Sequence, residues 1–446
     1  MVTYTEQFMK RIKQPLTKKP CKKLWRIGKL QILMTVFFYR AYEEMENGSD
    51  VTLLFCHQTQ WQKDLLRHYG QVCLLDATYK ITKYSIPLFF LAVKTNVGYS
   101  VVGTFVIQAE STRLIQEALS IFKEWLPDWK AKFWMTDFSE AEISAIENTF
   151  PDSTVYLCAF HREQAWQRWL RKTENSVSGD PQDILNLWRN VANSSTKEQF
   201  HIQVNSLKNS DIMKKNPKAE QYFSTQWLSV AYRWVQAFRE KDYAVVINTT
   251  NGVESQNRVL KYSYLYHNSA KSLTAMLTTV IKSYLPDSYK KYCLKNTTPK
   301  LYNPQIPKYL HNRPESFIKH VLPRLTTAET EYNSSSIEEI SEGLFGVPQS
   351  NNANQFYIVN FDEATCTCQD FIMHRLPCKH MCAVFQFVPS WDFDKMNAAY
   401  KNHPCITLDA KHSYYTHSNT DTTELPSEKN PNKQNTDQAE PVIHSN

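Results

Sequence analysis

The stretch Val72-Cys73-Leu74-Leu75-Asp76-Ala77-Thr78-Tyr79-Lys80 opens on a short continuous apolar run and closes it with an acid. That is the pattern of a strand buried on both faces with a carboxylate at its carboxyl end. Two β-rich runs follow, residues 86–93 and 100–108, and Asn96 and Gly98 between them suit an antiparallel reversal. Leu114, Ile115, Ala118, Leu119, Phe122 and Trp125 then recur at helical spacing until Pro127, and Phe133-Trp134-Met135 starts another strand with Asp137 just beyond it. Ser139 can cap a second helix carrying Glu140 and Glu142 in its first turn; Pro151 ends it before the strand Val155-Tyr156-Leu157. The order β-β-β-α-β-α-β with right-handed crossovers lays the fourth strand parallel to the first. The expected fold is therefore α/β, a mixed sheet with Asp76 and Asp137 side by side at the carboxyl ends of neighbouring strands, where open sheets place their sites.

The 446 residues, 42% of them hydrophobic, suffice for two or three domains. The net charge of +7 excludes a histone-like polycation. The excess gathers at the front, where Glu6 is the only acid in residues 1–40 against Lys10, Arg11, Lys13, Lys18, Lys19, Lys22, Lys23, Arg26, Lys29 and Arg40. Such a density suits phosphate backbones or nuclear import, and equally a solvated terminus. Ten scattered cysteines without an apolar leader point to a reducing, nuclear setting. Apolar stretches fall short of the roughly 18 residues that cross a bilayer, so no membrane is expected.

Residues 1–70 read as a basic, helical region and 71–265 as the sheet domain. A helical insertion over about 162–250 bears Trp166, Trp169, Trp188, Trp227, Tyr232 and Trp234, which suit core packing or stacking on unpaired bases. Residues 266–354 are expected to be helical and connecting, 355–390 a small zinc module, and 404–446 a polar tail that buries too little to order itself.

In the zinc module Cys366-Thr367-Cys368 is followed, after nine residues, by Cys378-Lys379-His380. Each short pair can present two ligands to one ion, and three thiolates with one imidazole close a tetrahedral, structural Zn2+ site. Cys382 is a spare thiol nearby. The spacing and the ββα pattern resemble the SWIM zinc finger, which implies contacts with DNA or protein partners.

Two-metal phosphoryl transfer needs acids from distant parts of a chain converging on paired cations, and Mg2+ prefers hard oxygen ligands. Asp76 and Asp137 meet that need, and Glu254 in Asn251-Gly252-Val253-Glu254-Ser255-Gln256-Asn257 can supply a third acid. Each also has a plain alternative: Asp76 an exposed strand end, Asp137 a helix cap, and Asn251 with Glu254 a capping box. The set Leu75-Asp76-Ala77-Thr78-Tyr79, Met135-Thr136-Asp137, Leu157-Cys158-Ala159-Phe160-His161 and Asn251–Asn257 resembles the transposase domain of Mutator-like elements. The resemblance spans residues 53–387. It implies a ribonuclease-H-like fold with a helical insertion, a catalytic triad of Asp76, Asp137 and Glu254 binding Mg2+, and DNA cleavage and strand transfer. Cys158 and His161 match that family's Cys-x-x-His pair and imply a structural or DNA-positioning role; spacing alone permits half of a zinc site. Complete transposases carry a recognition module ahead of this region, and residues 1–75 show no such module. Hence a second expectation stands beside the enzyme: a transposon-derived, non-catalytic nuclear zinc-finger protein. A stand-alone ribonuclease is a third, and an oligomer stays open.

Overall fold

The computed structural model describes residues 35–43, 51–239, 247, 249–265, 272–299, 302–349 and 352–413, apart from 83, 85 and 305. Its first sheet has seven strands: β1 (Thr35–Arg40), β2 (Leu54–Thr59), β3 (Val72–Thr78), β4 (Leu88–Thr95), β5 (Gly98–Ile107), β6 (Phe133–Thr136) and β7 (Thr154–Leu157). They lie in the order β1-β2-β5-β4-β3-β6-β7. β3, β4 and β5 form the antiparallel meander, and β6 then pairs parallel to β3 with Leu74 opposite Met135. β7 extends the parallel half. This is the mixed sheet expected from the strand order, and it agrees with the ribonuclease-H-like fold that the resemblance implies.

The region 1–70 departs from its helical reading. Its described part contains β1, β2 and only then the helix α1 (Gln60–Tyr69), and the two strands prolong the sheet, β2 antiparallel to β5 and β1 antiparallel to β2. β2 is buried along its whole length, so its sequence lacks the alternation that betrays a half-buried strand. Thr59 ends β2 and caps α1 reciprocally: its Oγ1 accepts from Gln62 N at 3.3 Å while Gln62 Oε1 accepts from Thr59 N at 2.9 Å. The buried Gln62 amide then donates to Val101 O at 2.9 Å and pins helix to sheet. The basic residues 10–29 lie outside the described residues.

Helices α2 (Thr112–Trp125) and α3 (Glu140–Thr149) make the crossovers, capped by Ser111 and Ser139. The insertion holds α4 (Ala159–Arg171), α5 (Pro181–Ala192), α6 (Lys197–Asn209), α7 (Asp211–Lys215) and α8 (Pro217–Tyr222). Trp166 is its hub, with ring centroids of Trp188, Phe223, Trp227 and Trp234 between 5.6 and 5.8 Å away. All five rings are buried, so these tryptophans pack a core; of the aromatics read from the sequence Tyr232 is the exposed one. Trp166→Ala is expected to cost about 3–5 kcal/mol, read as a lowered urea midpoint of the intact chain.

After the insertion, α9 (Asn251–Val259) packs on β3, β4 and β5, and α10 (Leu273–Thr279) and α11 (Leu285–Lys295) follow it. Gly252 of α9 sits so close to the Tyr99 ring that a Cβ there would lie 2.3 Å from two of its carbons.

The second unit has its own core, including Phe317, Val321, Phe345, Val359 and Met381. Its strands β8 (Glu338–Ser341), β9 (Leu344–Gln349), β10 (Asn352–Asn360) and β11 (Thr365–Cys366) form a sheet in the order β11-β10-β9-β8. The ββα layout expected from sequence is thus embedded in a larger body. β8 and β9 extend the sheet, and α12 (Glu315–Glu331) packs against α14 (Lys379–Phe387), with α13 (Gln369–His374) between the ligand pairs. These additions came from residues read as connecting, because β8 is exposed throughout and β9 contains Pro348. Arg324 of α12 clamps Asp370 of α13 with Nε and Nη2 at 2.7 and 2.6 Å.

Beyond α15 (Ala398–Lys401) the chain does not enter a disordered tail at 404. Residues 404–413 return to the first unit as a strap: Asn96 Nδ2 donates to Thr407 O at 2.7 Å, Asp409 N donates to Asn296 Oδ1 at 2.8 Å, and Tyr292 OH donates to Asp409 Oδ2 at 2.8 Å. These polar contacts, beside the buried Ile406 and the packing of Cys405 on the sheet unit's core, hold it, which composition cannot reveal. Residues 414–446 lie outside the described residues. No helix among the described residues is long and apolar enough to cross a membrane.

Candidate functional site

Parallel pairing of β3 with β6 ends its register at Leu74 and Met135, and two residues further on stand Asp76, within β3, and Asp137, just past the end of β6. Glu254 comes from the first turn of α9. Thr250, immediately before that helix, ties the parts together: its Oγ1 lies 2.8 Å from Glu254 Oε1, 3.3 Å from Asp137 Oδ1, 3.2 Å from Cys158 Sγ and 3.4 Å from His161 Nδ1. A hydroxyl has one proton for these four neighbours, so the cluster is held by shared contacts around a hub. His161 Nδ1 sits 2.5 Å from Asp137 Oδ1, and its Nε2 3.6 Å from Glu254 Oε1. Asn257, one turn after Glu254, donates to Asp76 Oδ2 at 2.5 Å.

The plain alternatives are not realised. Ser139, not Asp137, caps α3, and Thr250, not Asn251, holds the cap position of α9. The structure therefore brings Asp76, Asp137, Glu254, Cys158 and His161 to one place. Sequence reading missed Thr250 and the role of Asn257 as a clamp. It also read Glu142 only as a first-turn acid. Glu142 is buried behind Asp137 and accepts a hydrogen bond from Thr136 Oγ1.

Charges in this cluster are strongly coupled. Burial, and then the carboxylates Asp137 and Glu254, push the Asp76 carboxyl up to about 7, against the lowering effect of Asn257. The Asp137 hydrogen bond, followed by that to Cys158, raises the His161 imidazole to about 10. For Cys158 burial acts upward but is outweighed by hydrogen bonds from His161 and Thr250, and the thiol falls below its ordinary value. Burial holds Glu142 well above the carboxylate range.

These shifts fix the pH dependence of the protein in magnesium-free buffer. Asp76 titrates at about 7 when folded against an ordinary 3.8, so the unfolded chain loses its proton first as pH rises. Stability falls between about pH 4 and 7, by on the order of 4 kcal/mol at most. His161, raised above its ordinary 6.5 to about 10, stabilises fully below pH 6.5 and loses that contribution as pH climbs through 10. Thermal unfolding from pH 5 to 9 is expected to show both declines. Asp76→Asn should flatten the one below pH 7 and leave the one above it.

The second cluster lies in the C-terminal unit. Cys366 Sγ and Cys378 Sγ lie 3.8 and 3.7 Å from His380 Nδ1, and one ligand atom from each of Cys366, Cys368, Cys378 and His380 lies within 4.8 Å of the others. Tetrahedral zinc with Zn–S of about 2.3 Å and Zn–N of about 2.0 Å needs edges of about 3.5–3.8 Å, so the donors fit the ion. All four residues are buried, and Cys368 and Cys378 occupy the N-cap positions of α13 and α14, where the helix dipole favours thiolate. The spare thiol of Cys382 stands outside this set, and burial keeps it well above the usual thiol range.

Residues 40–156 match the family described as zinc finger SWIM domain-containing protein 1/3, RNaseH-like domain, and residues 357–389 match the SWIM zinc finger. No curated protein matches the chain. The first match begins at the last residue of β1 and closes in β7, and so covers strands β2 to β6, most of β7 and the two crossover helices. The second covers the four sulfur and nitrogen ligands. The chain therefore carries a ribonuclease-H-like domain followed by a zinc-binding SWIM finger.

Proposed function

We propose that the chain is a transposase-derived nuclear protein that cleaves and joins DNA with magnesium, in the manner of Mutator-like elements. The observation that carries this reading is the meeting of Asp76, Asp137 and Glu254, from two parallel strand ends and a helix 117 residues after Asp137 in the chain. Hard carboxylate oxygens, with Asp76 raised to about 7 first by burial and then by its neighbours Asp137 and Glu254, are the donor chemistry magnesium accepts. Bound there, the ions would activate the attacking oxygen and stabilise the leaving one. Asn257 fixes Asp76 Oδ2 and so sets the direction of its other oxygen, while Lys261, close enough to feel the Asp76 charge, supplies a cation for a phosphate. The SWIM finger contributes DNA or protein contacts.

A second reading keeps the fold as a non-catalytic scaffold. It is favoured by the contact of His161 with Asp137, which occupies an oxygen that an ion needs, and by the match to a SWIM domain-containing family. Labelled double-stranded DNA incubated with the full chain and magnesium separates them. Cleavage or joining that falls at least about 10³-fold in Asp137→Asn supports the enzyme. No turnover by the intact chain, with DNA binding unchanged in a variant lacking all three acids, supports the scaffold. Cleavage of RNA alone would assign a ribonuclease instead.

A further inference from the structure

Cys158 and His161 look from sequence like half of a metal site without its other half. The fold supplies the missing donor. Asp137 Oδ1 is 2.5 Å from His161 Nδ1, and one ligand atom from each of Asp137, Cys158 and His161 lies within 4.8 Å of the others. We propose that these three residues form a second site for a zinc-class ion, separate from the SWIM finger and sharing Asp137 with the acidic cluster.

Four observations carry it. Cys158 and His161 stand three residues apart at the start of α4, a spacing that puts both on one helix face. Cys158 holds the N-cap position yet makes no capping hydrogen bond with its side chain, so its sulfur is turned to another use. That sulfur is buried and receives Thr250 N at 3.3 Å and Thr250 Oγ1 at 3.2 Å, the outer contacts that orient a metal-bound thiolate. The Asp137 and His161 side chains keep 32% and 25% of their surface exposed, which leaves an entry path and an open coordination position.

The donor set chooses the ion. One thiolate, one imidazole and one carboxylate suit zinc, whereas magnesium takes oxygen alone. On binding, the ion replaces the proton shared by His161 and Asp137 and the proton of the Cys158 thiol, and both leave to solvent. Two ligands on one zinc stand about 3.3 Å apart, so the Asp137–His161 pair opens by less than an ångström. Asp137 is then withdrawn from magnesium. That consequence rests on the nuclease reading, while the zinc site itself does not.

Metal content of the full chain decides the matter. The protein is dialysed against zinc, cleared of loose metal and measured by plasma mass spectrometry beside Cys158→Ser and His161→Gln, with circular dichroism to verify folding. The expected result is two zinc ions per wild-type chain and one in each variant. Cobalt substitution should show thiolate-to-cobalt absorption about one quarter weaker in Cys158→Ser, one sulfur of four being lost. One zinc per wild-type chain overturns the proposal, as does retention of two in His161→Gln. Where Cys158→Ser does not fold, His161→Gln and the wild-type count decide.

Discussion

Replacing Cys378 with serine is expected to empty the SWIM finger of zinc and unfold the C-terminal unit, leaving the sheet unit standing. Binding of a structural zinc ion is folding free energy, about 10–16 kcal/mol in small zinc modules. A unit whose core is built around the ligands cannot replace it. Cys366, Cys368 and Cys378 are themselves members of that core, beside Phe371, Met381 and Val384. Loss of one thiolate leaves three buried donors without an ion and the N-terminus of α14 without its charge. Hydrogen exchange should show protection lost across α12, β9, β10 and α14 and retained in β3, β4 and β5. A chelator on the wild-type chain should do the same. Protection kept in β9 and β10 after zinc loss would show that their apolar contacts suffice.

Gly252→Ala should disturb the acidic cluster itself, although by helix propensity alone it would stabilise α9 by about 1 kcal/mol. The added carbon would lie 2.3–2.4 Å from three ring carbons of Tyr99. The ring is anchored in β5 and cannot yield at its root. Contact distance is about 3.5 Å, so α9 must ride up on the sheet, at a cost of about 1–3 kcal/mol that outweighs the propensity gain. Glu254 and Asn257 travel with the helix. The Asn257–Asp76 bond at 2.5 Å and the Thr250 contacts have no slack for such a shift. The variant is expected to melt lower and to show an altered pH 4–7 stability decline, since Glu254 and the clamp Asn257, which both act on Asp76, move with the helix. Pairing it with Tyr99→Ala should restore both. Unchanged melting in the single variant would mean that the ring turns aside freely.

The legibility of this molecule follows the physics of each part. The Asp76–Asp137 pair was readable because a right-handed crossover leaves one parallel register, and two apolar runs each ending on an acid then align those acids. The zinc ligands were readable because all four are local. Glu254 was only a candidate third acid from its residues, and the resemblance strengthened it. Its position depends on the insertion folding onto the sheet, which no local pattern states. Thr250 and Asn257 were opaque as partners for the same reason, since they meet Cys158 and Asp76 across 92 and 181 residues. β2 hid because complete burial erases alternation, and the strap hid because Asn96, Asn296 and Asp409 hold it by hydrogen bonds where composition predicts solvent.

That strap changes how the protein carries load. The polypeptide leaves the sheet unit after α11, passes through the finger and is moored again to Asn96, Tyr292 and Asn296. Tension arriving from the C-terminal side meets those moorings first. The finger feels it only once they have let go, so its metal ligands are shielded from a pull that a bead-on-a-string arrangement would deliver straight to them.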